Sequence, residues 1–178
     1  MKISAIILSA GNSTRYLSSK PKVFHELSGQ KLIDFNISLL NKYKEIKSCH
    51  IITNTALKEN FINLGYKNIS IQSPINGTGG AIAQFVSKNN IKADYYLICL
   101  GDTPIFNKKT IDALIKKTKN QKLDINVLGQ NLDNPFGYGR LIIENKNLKA
   151  IVEEKNCNIE QKKISTINTG IFLLSKRA

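Results

Sequence analysis

Ile3-Ser4-Ala5-Ile6-Ile7-Leu8-Ser9-Ala10-Gly11-Asn12-Ser13-Thr14-Arg15 begins as an apolar run and ends in a small-residue turn that carries a cation. A short, nearly all-apolar run closed by Gly and Ser reads as a strand buried on both faces, as in a parallel sheet. At the carboxyl end of such a strand, backbone N–H groups and positive side chains converge on phosphate. Leu8, Ser9, Ala10 and Gly11 present little side-chain bulk, so a base and its phosphates can approach the backbone. Arg15 offers a planar fork for phosphate oxygens, and Lys22, just beyond, a mobile point charge. An ordinary βα turn with solvated cations has the same local pattern. The second and third glycines of the dinucleotide fingerprint are missing, so the loop alone does not decide a function.

Working outward, residues 31–46 place Leu32, Ile33, Phe35, Leu39 and Leu40 at helical spacing. Residues 49–53 read as a second buried strand, and residues 56–64 as a helix closed by Gly65. A strand over 68–72, a helix over 78–89 and a nearly all-apolar strand over 94–100 follow. Residues 108–118 form a helix with Asn107 as its N-cap, and 123–129 a further strand. Thereafter residues 140–143, 148–153 and 167–174 read as strands with no long helix between them. The expected fold is one α/β domain: a Rossmann-like, mixed but mainly parallel sheet flanked by helices, with an antiparallel C-terminal elaboration.

The 178 residues suit one domain with a sizeable core, and 42% hydrophobic with 22% charged residues is ordinary for a globular protein. Neither a membrane span nor a signal peptide is expected. Cys49, Cys99 and Cys157 are widely spaced and odd in number, which points to reduced thiols and a cytoplasmic location. His25 and His50 lack partners at zinc-ligand spacing. The net charge of +13 invites a nucleic-acid reading, but the lysines are scattered and no aromatics interleave with them. A solvated basic surface that draws anionic small molecules is the better account.

Four further groups bear chemistry. Gln72 ends a strand and has donors and an acceptor suited to a nucleobase edge or a sugar hydroxyl. Asn76-Gly77-Thr78-Gly79-Gly80 opens a helix, where an anion can bind or a flat base can lie. Leu100-Gly101-Asp102-Thr103-Pro104 ends the central strand with a carboxylate that can hold Mg²⁺ against a polyphosphate. Late in the chain, Gly139, Glu153 and Asn168 offer a bare amide and two directional partners, as a sugar pocket needs. Each of these segments also has a plain structural reading as a turn, a cap or a strand-edge residue.

Taken together, the segments resemble the sugar-nucleotide pyrophosphorylases, most closely the uridylyltransferase domain of the bacterial bifunctional enzyme that makes UDP-N-acetylglucosamine. The matching stretches are Ile7-Leu8-Ser9-Ala10-Gly11 with Thr14-Arg15, Pro21-Lys22-Val23-Phe24-His25, Gln72 with Gly77-Thr78-Gly79, Gly101-Asp102-Thr103-Pro104, Asn134-Pro135-Phe136-Gly137-Tyr138-Gly139-Arg140, Ile151-Val152-Glu153 and Ile167-Asn168-Thr169-Gly170-Ile171. The resemblance implies that Leu8, Ser9, Ala10, Gly11, Gln72, Gly77 and Thr78 hold uridine. It implies that Arg15 and Lys22 face the triphosphate as catalytic cations, that Asp102 ligates Mg²⁺, and that Gly139, Glu153 and Asn168 hold N-acetylglucosamine. The implied reaction is in-line attack of the sugar 1-phosphate on the α-phosphorus of UTP with release of pyrophosphate.

The sequence departs from the family pattern at Ser13, Tyr16, Leu100 and Gly80. The family domain continues past the Ile-Asn-Thr-Gly-Ile segment and there contributes an Asn that shares the metal. The expectation is therefore a single domain over residues 1–178 lacking the last elements of the family domain, either a fragment or a reduced relative. Acetyl transfer is not expected. The alternatives are a non-catalytic sugar-nucleotide binding module, or a nucleotidyltransferase with another base or sugar phosphate. No nucleic-acid or membrane partner is expected, and the oligomeric state is left open.

Overall fold

A computed structural model of the chain describes residues 1–11, 18, 20–105 and 107–178. In chain order the first half contains β1 (Ile3–Ser9), β2 (Glu26–Leu27), β3 (Gln30–Lys31), α1 (Leu32–Leu40), β4 (Ile46–Thr53), α2 (Thr55–Asn63), β5 (Ile69–Ile71) and α3 (Gly77–Lys88). The second half contains β6 (Tyr95–Leu100), α4 (Lys108–Gln121), β7 (Ile125–Asn131), β8 (Arg140–Glu144), β9 (Asn147–Val152), α5 (Ile159–Lys162) and β10 (Thr166–Ser175).

β1 is the axis of the main sheet. It pairs in parallel with β4 on one side and β6 on the other, and β5 extends the parallel part beyond β4. β10 runs antiparallel beside β6 and carries β7 and β8, with β9 outside β8. Alternation along β1 sends Ile3, Ala5 and Ile7 to one face and Ile6 to the other. The first face packs on Ile33, Leu39 and Leu40 of α1, Phe61 of α2, and Ile111 and Leu114 of α4. The second face packs on Ala81 and Phe85 of α3. Burial on both faces is why β1 and β6 are nearly all apolar rather than alternating. This is the expected mixed, mainly parallel sheet with an antiparallel C-terminal part.

Helix boundaries follow local chemistry where local chemistry is strong. Asn54 Oδ1 accepts from Leu57 N at 2.9 Å, and Asn107 Oδ1 from Lys109 N at 2.9 Å. Gly65 follows α2 with φ of +81°, the left-handed stop read from the sequence. α1 is shorter than its apolar spacing predicts, ending at Leu40 rather than near residue 46. The reason is tertiary. Ile46 pairs with Ile3 as the first residue of β4, and Ile3 N donates to Glu45 O at 2.9 Å. Tyr43, buried in the intervening turn, donates its hydroxyl to Lys108 O at 2.9 Å. Conversely, α4 runs on to Gln121 and stops at Lys122, which is left-handed with φ of +49°.

Candidate active site

The parallel strands deliver their ends to one edge, and buried asparagine and threonine side chains fix the loops there. Thr53 Oγ1 donates to Ser9 O at 3.2 Å, and Asn54 Nδ2 to Ala10 O at 3.0 Å, so the chain leaving β1 is tied to the end of β4. Lys22 sits on a 3-10 turn, Lys22–Phe24, whose Val23 and Phe24 are buried. The Phe24 ring meets Phe61 edge-on at 4.7 Å. The turn is thus anchored in the core while the Lys22 side chain stays 39% exposed.

Asp102 is delivered by the end of β6. Gly101 N donates to Leu8 O at 2.9 Å, bringing this turn against β1. A Cβ on Gly101 would fall on Ser9 Oγ and lie 3.3 Å from both Ile7 Cγ2 and Val23 Cγ1, so the approach needs glycine. A fully buried side chain on α1, Asn36, holds the rest of the turn. Its Nδ2 donates to Leu100 O at 2.8 Å and Thr103 O at 3.1 Å, and its Oδ1 accepts from Ile105 N at 2.8 Å. Lys22 Nζ then lies 3.1 Å from Asp102 Oδ2.

On the opposite wall, Gln72 is buried and its Nε2 donates to Asn76 Oδ1 and Gly77 O, both at 3.0 Å. In this form its amide nitrogen holds the Gly77–Thr78 turn. Among the described residues no side chain caps the N-terminus of α3. Its first amides are therefore suited to an anion.

Leu8, Ser9, Ala10, Gly11, Lys22, Gln72, Gly77, Thr78 and Asp102 all line one open cavity of about 920 Å³. Nine of the residues singled out from sequence are thus brought together. Arg15, the other expected cation, lies outside the described residues.

Gly139, Glu153 and Asn168 line a second cavity, of about 930 Å³. Strand register explains their convergence. Arg140 is the residue of β8 that pairs with both Val152 of β9 and Ile167 of β10. One antiparallel step along, Gly139 therefore faces Glu153 on one side and Asn168 on the other. Asn168 N donates to Gly139 O at 2.8 Å, and a Cβ on Gly139 would come within 3.3 Å of Glu153 Oε1. A register shift in β10 between Asn168 and Phe172 breaks the ladder beside this row, as bulges near binding sites do.

The two cavities adjoin: Thr78, Leu100, Thr103, Gly137 and Tyr138 line both. The loop over 135–139 is the wall between them. It is held by Arg140, whose side chain is 1% exposed. Its Nη1 donates to Tyr138 O, and its Nη2 to Glu154 Oε2 at 2.6 Å. The Arg140 guanidinium, assisted by the Gly137 N–H, keeps the Glu154 carboxyl below the ordinary carboxylate range. Asn36, Arg140 and Glu154 were not singled out from the sequence. The Asn-Pro-Phe-Gly-Tyr-Gly-Arg stretch was the available signal for the second of these.

Asp102 fits a hard cation of limited demand. Among the described residues no three His, Cys, Asp or Glu gather as a metal cage, so protein donors alone would hold a divalent ion poorly. Mg²⁺ commonly takes one or two carboxylates and completes its shell with substrate phosphates and water, and one carboxylate at the edge of this cavity suits that pattern. The three cysteines are free thiols outside both linings, and burial pushes Cys49 up to about 11. That environment makes Cys49 an inert thiol, not a nucleophile.

The fold is that of the nucleotide-diphospho-sugar transferases. A Bacillus anthracis structure described as a glucose-1-phosphate thymidylyltransferase superposes with a TM-score of 0.80 at 23% identity, covering 97% of this chain and 71% of that one. The inositol-1-phosphate CTP transferase of T. maritima superposes with a TM-score of 0.72 at 17% identity, over 98% and 71% of the two chains. The family model of the MobA-like NTP transferase domain matches residues 5–155, and the chain belongs to that family.

Among curated relatives, the bifunctional protein GlmU of Alkaliphilus metalliredigens is 34% identical over 181 residues, covering 99% of this chain and 39% of that protein. GlmU of Prochlorococcus marinus is 33% identical over 173 residues, covering 96% and 39%. The chain therefore spans about two fifths of the length of these relatives. The kinship read from the motifs holds. No helix among the described residues is long and apolar enough to cross a membrane.

Proposed function

We propose that the chain transfers a nucleotidyl group from an NTP, with UTP the expected donor, to a sugar 1-phosphate, with N-acetylglucosamine 1-phosphate the expected acceptor. The observation that carries this reading is the pair of adjoining cavities, one edged by Lys22 and Asp102, the other by Gly139, Glu153 and Asn168. In the reaction an anionic oxygen of the sugar phosphate attacks the α-phosphorus, and the bond to pyrophosphate breaks opposite to it. No protein nucleophile is needed, because the attacking oxygen already carries charge. Rate then comes from alignment and from neutralising charge on the transferring group.

Leu8 to Gly11, Gln72, Gly77 and Thr78 would hold the nucleoside, with Lys22 and Arg15 placing positive charge along the phosphates. Asp102 would hold Mg²⁺, which when bound supplies neutralisation of the leaving pyrophosphate. Gly139, Glu153 and Asn168 would fix the sugar hydroxyls and amide. A cytoplasmic location suits these phosphorylated substrates and the free thiols.

The test is pyrophosphate release with Mg²⁺ across a panel of NTPs and sugar 1-phosphates. Turnover that is fastest with UTP and N-acetylglucosamine 1-phosphate is the expected result. Turnover with another pair corrects the substrates. Tight calorimetric binding of UTP or a UDP-sugar with no turnover of any pair overturns the transferase reading in favour of a binding module.

A further inference from the structure

We propose that Arg140 and Glu154 are positioning residues for the acceptor, holding the row Gly139, Glu153 and Asn168 in one geometry without touching substrate. The inference deepens the sugar-phosphate reading above and rests on it. A guanidinium that is 1% exposed is costly, and an apolar side chain of similar volume often serves stability as well or better. Arg140 Nε has no acceptor among the described residues, a further cost at a buried site. What the residue secures instead is the geometry of its neighbours.

Four observations define that geometry. Arg140 follows Gly139 directly, and its backbone pairs with Val152 and Ile167, which directly precede Glu153 and Asn168. Its guanidinium reaches back to Tyr138 O and forward to Glu154 Oε2 at 2.6 Å. Glu154 Oε2 in turn accepts from Gly137 N at 3.3 Å, so one ion pair grips the 135–139 loop at two backbone points. Arg140 Nη2 also reaches Lys162 O at 3.5 Å, connecting the pair to the end of α5.

The adjacent carboxylates, Glu153 and Glu154, consequently have separate tasks. Glu154 is compensated by Arg140 behind the row, while Glu153 lies beside Gly139 on the cavity side. Loss of the pair would free the loop and let Glu153 and Gly139 drift relative to Asn168. Small misplacement of binding groups is enough to weaken an acceptor that needs all three.

The experiment uses the full chain with Glu154→Gln, which is isosteric, and Arg140→Lys, which keeps the charge but not the fork. The expected result is a KM for the sugar 1-phosphate raised about tenfold in both, with the NTP dissociation constant changed less than about twofold and kcat little affected. A lowered thermal midpoint with an unchanged acceptor KM overturns the proposal, since it marks a purely structural pair. Equal weakening of nucleotide and acceptor overturns it as well. If the wild-type chain turns over no sugar 1-phosphate, the transferase reading fails while the pair remains testable by amide hydrogen exchange. Selective loss of protection at residues 137–139 in Glu154→Gln, with β6 unchanged, then supports the pair. A uniform change, or none, overturns it.

Discussion

Lys22 Nζ lies 3.1 Å from Asp102 Oδ2, joining a cation and a carboxylate that stand far apart in sequence. The side chains are 39% and 32% exposed, so the pair is a solvent-screened one whose net worth is about 0–1 kcal/mol. It can be parted by a ligand that offers both groups something better. A triphosphate offers Lys22 three anionic groups, and a divalent cation offers Asp102 two charges. Each is more favourable when the other is present. Mg²⁺ alone is therefore expected to bind weakly, and Mg²⁺ with NTP together. Calorimetry should show Lys22→Met improving Mg²⁺ affinity in the absence of nucleotide and weakening NTP binding. Asp102→Asn should lower turnover by about 10²-fold or more, as loss of a charge-stabilising group does. Chelation of Mg²⁺ should abolish turnover in the wild type.

Asn36 gives a second prediction. Its amide makes three hydrogen bonds to the turn that carries Asp102, at 2.8, 3.1 and 2.8 Å, and the side chain is fully buried. Asn36→Leu removes all three and leaves buried backbone partners unsatisfied, each worth about 1–3 kcal/mol. Urea unfolding should show a loss of about 3 kcal/mol or more. Asn36→Asp, which keeps the acceptor for Ile105 N but loses the donor, should fall between. Both variants should lose turnover beyond what their folded fraction accounts for, because the Asp102 turn is no longer set.

What the sequence made legible was local. The apolar runs of β1 and β6, the stop at Gly65 and the cap at Asn107 are each decided by residues within a few positions, and each stands where it was expected. The convergence of Leu8 to Gly11, Lys22, Gln72, Gly77, Thr78 and Asp102 on one cavity was legible only through the order of motifs. The roles of Asn36 and Arg140 were not legible, since an isolated Asn in a helix and an Arg at a strand start carry no local mark of burial. Asn36 acts on residues 64 to 69 positions away. α1 is shorter than its spacing predicts for the same reason: pairing of Ile46 with Ile3 overrides a helical pattern that continues in the sequence. Gln72, expected to meet substrate, lines that cavity while its amide nitrogen holds Gly77 and Asn76.

Gly101 allows a test of close packing under the Asp102 turn. Adding a methyl there meets Ser9 Oγ, Ile7 and Val23. Overpacking of this kind costs about 1–3 kcal/mol. Gly101→Ala should therefore lower the urea midpoint and turnover together. Ser9→Ala in the same chain removes the nearest obstacle, a hydroxyl that is buried and has no hydrogen-bond partner among the described residues. The double variant should recover most of the lost stability. Equal midpoints for the single and double variants would show that Ile7 and Val23 set the clash.

The Arg140–Glu154 pair also fixes a pH dependence. Glu154 is held below the ordinary carboxylate range first by its hydrogen bond from Arg140, and Asp124 likewise by Arg177 and then Ser175. A carboxylate with a depressed folded-state pKa binds fewer protons folded than unfolded. Its contribution is thus fully present above the unfolded value, about 4.3 for Glu and 3.9 for Asp, and is lost as pH falls through the lower folded value. Stability should consequently be flat in this respect from neutral pH to about pH 5 and decline below it. Glu154→Gln removes one of the titrating groups. The gap in urea midpoint between wild type and Glu154→Gln should be widest near neutral pH and narrow on acidification. A gap that stays constant down to the acid transition would show that Glu154 contributes by packing and by neutral hydrogen bonds, with no part for its charge. Because Arg140 stays buried in that variant, the same titration separates the cost of an unpaired guanidinium, which persists at every pH, from the carboxylate's own contribution, which does not.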